Sequence, residues 1–118
     1  MKRFSKWVNP QIAKLPSDII ALNFNLYEEK WKFRFSAQLV GSIAYDEENE
    51  DWACDTYYSS HENLYYFCAK NWEQALEKFL KLAGKALDST IVLPDRIEYV
   101  TAGFVDGSLE VIFKKKSN

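Results

Sequence analysis

At 118 residues, 47% apolar and 27% charged, the chain has the size and composition of one globular domain. Such a domain can bury roughly two-thirds of its unfolded surface without metals or disulfide staples. No apolar run approaches the ~20 residues that cross a bilayer, and a formal charge of −2 with a pI near 5.4 argues against nucleic acid as a direct partner. The start, Met1-Lys-Arg-Phe-Ser-Lys-Trp7, is basic but has no apolar stretch behind it, so it does not read as a secretory signal. Cys54 and Cys68 are then expected to be free thiols in a cytoplasmic protein.

In chain order, residues 1–16 are mixed basic and apolar and are broken at Pro10 and Pro16, which leaves a short helix or an arm open. Residues 19–40 read as a hairpin. Leu22, Phe24 and Leu26 alternate with Asn23, Asn25 and Tyr27, and Trp31, Phe33, Phe35, Ala37 and Leu39 alternate with polar residues. A turn at Glu28-Glu29 would pair Leu26 with Trp31, Phe24 with Phe33, Asn25 with Lys32 and Asn23 with Arg34. An acidic stretch, 46–51, has no surviving period and reads as a loop. Residues 52–58 and 64–69 read as two strands joined by the polar turn Ser59-Ser-His-Glu-Asn63.

Residues 71–87 form the clearest helix. Asn71 suits the N-cap with Gln74 closing a capping box. Trp72, Ala75, Leu76, Phe79, Leu80, Ala83, Ala86 and Leu87 recur on one face, and lysines trail toward the C-terminus. After Pro94, Val105-Asp-Gly-Ser108 marks a second hairpin that pairs Phe104 with Leu109, Ala102 with Val111 and Val100 with Phe113. The architecture that satisfies these elements is a single α+β domain, residues 1–118. It is an antiparallel sheet of about five or six strands with one main helix packed across one face. The other face, with Asn23, Asn25, Arg34 and some tyrosines, should be wet unless the N-terminal segment covers it.

Charge is segregated along this chain. Residues 35–69 contain no lysine or arginine but seven acids, a formal −7 against +5 for the remainder. Six of those acids lie within Asp46–Asp55, around Trp52. Segregation of this kind makes a local field that steers cationic partners. Asp46, Glu47, Glu48, Glu50, Asp51, Trp52, Asp55 and Tyr57 are therefore the candidate partner-binding residues, aromatic anchors inside a charged rim. Trp52 could equally be core.

Catalytic and metal readings fare worse. Asp46, Glu48 and Glu50 alternate as calcium-loop ligands would, but Asp51 stands where glycine is needed and Tyr57 where glutamate is needed. Asp18 with Glu28-Glu29-Lys30 matches a nuclease-like carboxylate–lysine spacing, although a hairpin tip collects polar residues anyway. His61 with Cys54 or Cys68 could form a thiol dyad, but no spacing supports it. The sequence thus points to a binding protein, with no enzyme activity, cofactor or metal expected.

Two stretches, Asp51-Trp-Ala-Cys-Asp55 after the acidic run and Ala102-Gly-Phe-Val-Asp-Gly-Ser-Leu-Glu110, flank the helix. Together they resemble small bacterial proteins found among the immunity proteins of polymorphic toxin and contact-dependent growth inhibition systems. The resemblance spans about residues 20–113. It implies a cytoplasmic, stoichiometric inhibitor whose partner is a cognate toxin domain; the composition separately argues against nucleic acid or membrane as a direct partner. Because many such toxins are nucleases with basic grooves, an acidic surface could occupy the place of the phosphates. The alternatives are an interaction module or homodimer of another role, and a metal-dependent enzyme.

Overall fold

A computed structural model describes residues 2–44, 58–59, 63–105 and 107–115. Two helices, α1 (Lys2–Ala13) and α2 (Trp72–Ser89), accompany six strands: β1 (Ala21–Glu28), β2 (Arg34–Ser42), β3 (Tyr58–Ser59), β4 (Tyr65–Cys68), β5 (Tyr99–Phe104) and β6 (Glu110–Lys114). The strands form one mixed sheet in the order β3-β2-β1-β5-β6, with β4 also paired to β2. This is an α+β fold with one main helix on the sheet. Every pair is antiparallel except β1–β5, which runs parallel with Ala21 beside Tyr99 and Leu26 beside Phe104.

The N-terminal segment is a helix, and it lies on the same side of the sheet as α2. Phe4, Val8 and Ile12 repeat at helical spacing and are all buried. That burial outweighs Pro10, whose ring removes one hydrogen bond inside the helix. Phe4, Phe24 and Phe79 meet as a triangle of rings with centroids 5.2–5.8 Å apart, which ties α1, β1 and α2 together. The core closes around this triangle with Leu22, Leu26, Phe35, Leu39, Val100 and the small α2 residues Ala75, Ala83 and Ala86. Small residues bring the helix close to the sheet, so Phe79 reaches between strands while Leu76 and Leu80 stay half-buried.

The capping of α2 differs slightly from expectation. Asn71 Oδ1 accepts from the Gln74 N–H at 2.8 Å, but Gln74 reaches back one residue further, its Oε1 accepting from the Lys70 N–H at 2.7 Å. The lysines end before the last turn, which carries no basic residue.

The first hairpin keeps its expected face but not its register. Leu26 pairs with Ala37, Phe24 with Leu39, Asn25 with Gln38 and Asn23 with Val40. The shift is even, so the apolar set still points inward, and alternation alone cannot distinguish the two registers. Trp31 and Phe33 leave the core strand as a result and stand in the turn, 72% and 55% exposed. Phe33 holds φ 65°, a left-handed conformation that a bulky side chain seldom adopts.

The strands expected at 52–58 and 64–69 do not pair with each other in the described part. β3 and β4 lie along the same edge of β2, Tyr58 beside Gly41 and Tyr65 beside Ala37. In the second hairpin Val100 pairs with Phe113 as expected. A bulge follows between Val100 and Thr101, so that Ala102 faces Glu110 instead of Val111. At Gly103 the returning chain comes so close that a Cβ would lie 2.5 Å from the Ser108 carbonyl oxygen.

The centre of the second sheet face is buried, not wet. Asn23, Ser36 and Thr101 have at most 1% exposure, and each finds a polar partner beside it. Thr101 Oγ1 donates to Asn23 Oδ1 at 2.8 Å, Asn23 Nδ2 to Asn25 Oδ1 at 2.6 Å, and Ser36 Oγ to Glu29 Oε2 at 2.8 Å. These lateral bonds satisfy the groups without solvent, as buried polar atoms require.

Candidate functional site

The residues singled out from the sequence, Asp46, Glu47, Glu48, Glu50, Asp51, Trp52, Asp55 and Tyr57, lie outside the described residues, as do His61 and Cys54. What is described is how their segment is anchored. It leaves the sheet after β2 and returns at β3, whose Tyr58 is the direct neighbour of Gly41 on β2. The Tyr58 ring packs against the core, and its hydroxyl lies 3.4 Å from Gln11 Oε1 on α1. Burial pushes the Tyr58 hydroxyl above the usual tyrosine range. Ser59 Oγ accepts from Gln38 Nε2 at 2.6 Å, and Gln38 Oε1 accepts from the Tyr27 hydroxyl at 2.7 Å. The returning end of the acidic segment is thus pinned to the sheet on both faces.

The nuclease-like spacing does not converge. Asp18 precedes β1 and Glu28 ends it, so the eight residues of β1 hold them roughly 25 Å apart at ~3.3 Å per residue. Glu29 instead accepts from the Ser36 hydroxyl. Among the described residues, no group of three His, Cys, Asp or Glu side chains gathers as metal ligands do. Cys68 is a free, exposed thiol.

A second surface emerges only from the structure. β1 ends, β2 and α2 begin, and β5 turns, all at one end of the sheet, opposite the anchors of the acidic segment. Trp31, Phe33, Trp72 and Val105 stand exposed there, each by more than half. A cleft of about 710 Å³ opens beside them, lined by Leu26, Tyr27, Trp72, Leu76, Phe104 and Glu110 among others. The Trp72 and Phe104 rings meet edge to face, with centroids 6.2 Å apart. Sequence periodicity places Trp31 and Phe33 in a strand and Trp72 on the buried helix face, so it hides this cluster. Glu28 still pairs with Phe35 and the Glu29 N–H bonds the Arg34 carbonyl, so the turn is confined to residues 30–33, and no signal in the sequence sets it there.

Comparison of the chain with protein-family models, with curated proteins and with solved structures gives no match. The functional reading therefore rests on the chemistry of these surfaces. No helix among the described residues is long and apolar enough to cross a membrane.

Proposed function

We propose that this chain is a binding protein that neutralises a cognate bacterial toxin domain by stoichiometric contact, in the manner of the immunity proteins its sequence resembles. One observation carries the reading. The connection between the paired strands β2 and β3 spans residues 43–57, and it holds six acids with no lysine or arginine. Neighbouring antiparallel strands need only about 2 to 5 residues to connect, so the stretch between Ser42 and Tyr58 is far longer than joining them requires. Its charge suits a basic surface such as a nuclease groove, and opposite charge speeds the encounter. In this reading the protein works in the cytoplasm, where the toxin would act.

The exposed aromatic end favours a second mode of contact, since Trp31, Phe33 and Trp72 offer anchors of the kind that dominate interface energies. Kinetics with the cognate toxin domain separate the two. Neutralising Asp46, Glu47, Glu48, Glu50 and Asp51 together should slow association and weaken its salt dependence. Exposed charges act mainly on the encounter and are screened over ~8 Å at physiological ionic strength. Trp31→Ala with Trp72→Ala should instead raise the dissociation rate if the aromatic end is the contact. Association that ignores both added salt and the five neutralisations would sink the acidic mechanism. Calorimetry with calcium, magnesium and manganese tests the metal-dependent alternative, which requires saturable heat.

A further inference from the structure

The outer edge of β4 is closed by side chains, and the closure leaves a basic cavity. Ala69 donates its N–H to the Phe33 carbonyl at 3.0 Å. This sets the alternation along β2–β4, so the backbone groups of Tyr66 and Cys68 point away from β2. Cations from the two helices take those outward carbonyls. Arg3 Nη2 donates to Tyr66 O at 2.7 Å, and Lys78 Nζ donates to Cys68 O at 2.9 Å. The Arg3 guanidinium lies over the Tyr65 ring at 4.2 Å, and the Arg34 guanidinium lies over the Tyr66 ring at 4.9 Å. Arg3, Arg34 and Lys78 line one open cavity of about 330 Å³, and among the described residues no carboxylate lines it with them. Among the described residues none of the three has an acidic partner, whereas Lys81 nearby on α2 pairs with Glu77.

We propose that this cavity binds a phosphate-type oxyanion, free or as a small phosphomonoester. A single arginine fork satisfies a carboxylate. Three cations from three separate elements instead match a dianion with several accepting oxygens around a tetrahedral centre. The Tyr65 ring beneath Arg3 and the Tyr66 ring beneath Arg34 restrain both guanidinium groups before a ligand arrives. Arg3 and Lys78 each spend a donor on the strand edge and keep others, and the outward N–H groups of Tyr66 and Cys68 border the same space. The site is opposite in sign to the acidic segment and does not depend on toxin binding.

The test titrates the full-length protein at low ionic strength with inorganic phosphate, phenyl phosphate and acetate, followed by calorimetry and by the arginine side-chain N–H resonances. Saturable phosphate binding is expected, with shifts concentrated on Arg3 and Arg34. Lys78→Gln and Arg34→Gln should each weaken it by about tenfold, the worth of one charge-assisted hydrogen bond. Lys78 is exposed on α2, so its substitution leaves the fold intact, and Lys85→Gln on the outer face of the same helix should change nothing. Arg34→Lys, which keeps the charge and loses the fork, should fall between wild type and Arg34→Gln. Tighter binding of phenyl phosphate than of phosphate identifies an ester as the ligand, and equal or weaker binding identifies the free ion. The proposal is overturned by acetate binding as tightly as phosphate, by equal losses in Lys78→Gln and Lys85→Gln, or by no saturable binding.

Discussion

Phe79→Ala is the sharpest test of how this domain is held together. The Phe79 side chain is 1% exposed and touches the rings of Phe4, Phe24 and Phe67 at 5.6, 5.2 and 5.8 Å between centroids. Removing it loses the transfer free energy of a buried aromatic, about 1.5 to 3 kcal/mol. Its edge-to-face and tilted ring contacts add to this, in an amount that overlaps with the burial already counted. Because α1, β1 and β4 can relax only partly into the vacancy, the total should fall at about 3 to 5 kcal/mol. That is a large share of the ~5 to 15 kcal/mol that stabilises a typical domain. A urea titration should show a lower midpoint at unchanged slope. Trp72→Ala provides the contrast. Trp72 shares the apolar stripe but is 54% exposed, and among the described rings it meets Phe104 edge to face, so its loss should cost about 1 kcal/mol or less. A loss below ~1 kcal/mol at Phe79, or equal losses at the two sites, would refute the assignment of the α2 face.

Gly84→Ala should stabilise by about 0.5 to 1 kcal/mol, since the added methyl meets nothing within 4 Å and the site is mid-helix. Gly103→Ala should destabilise by about 1 to 3 kcal/mol because its methyl would strike the Ser108 backbone, and thermal midpoints moving in opposite directions would check the pair. Asn71→Ala should cost about 1 kcal/mol through the lost N-cap, read as a lowered urea midpoint. Tyr58 gives a pH dependence. Its folded hydroxyl ionises above the unfolded value of about 10, because burial disfavours the phenolate. The unfolded chain therefore loses this proton first. The contribution is fully present below the unfolded value and is lost as pH rises through the folded one. In Tyr58→Phe the fall in stability at alkaline pH should be shallower, and an identical pH profile would remove Tyr58 as its source.

The sequence discloses those elements whose local signals agree with their packing. Helix α2 is legible because its cap and its apolar stripe coincide, and the second hairpin is legible as an element from its Asp-Gly signal, although a bulge shifts its register past Val100. The register of β1 with β2 is not legible, since any even shift keeps Leu22, Phe24 and Leu26 inward. Helix α1 is obscured by Pro10, whose local cost is outweighed by the distant partners of Phe4, Phe24 and Phe79. The parallel pairing of β1 with β5 joins two segments that carry no mark of each other. The aromatic end is hidden for a related reason. Trp31, Phe33 and Trp72 fit their apolar periods, and only the wider turn and the sheet's boundary bring them outside. The acidic segment is plain in the sequence as charge, and its anchoring between Gly41 and Tyr58 appears only in three dimensions.

The parallel pair also governs the order in which this chain can become a sheet. Ala21 and Tyr99 are neighbours separated by 78 residues, so the middle of the sheet is its latest joint to close. During synthesis β1 and β2 can pair early, but β1 then has one open flank until β5 leaves the ribosome. Closing so long a span costs chain entropy before any contact repays it, which slows folding. A nascent or proteolysed chain that stops before Tyr99 would lack the strand that covers β1, and β1, with Leu22, Phe24 and Leu26 on one face, would become an unprotected edge. Such edges template association with other chains. Losing the C-terminal hairpin should therefore give aggregation, not a smaller folded domain.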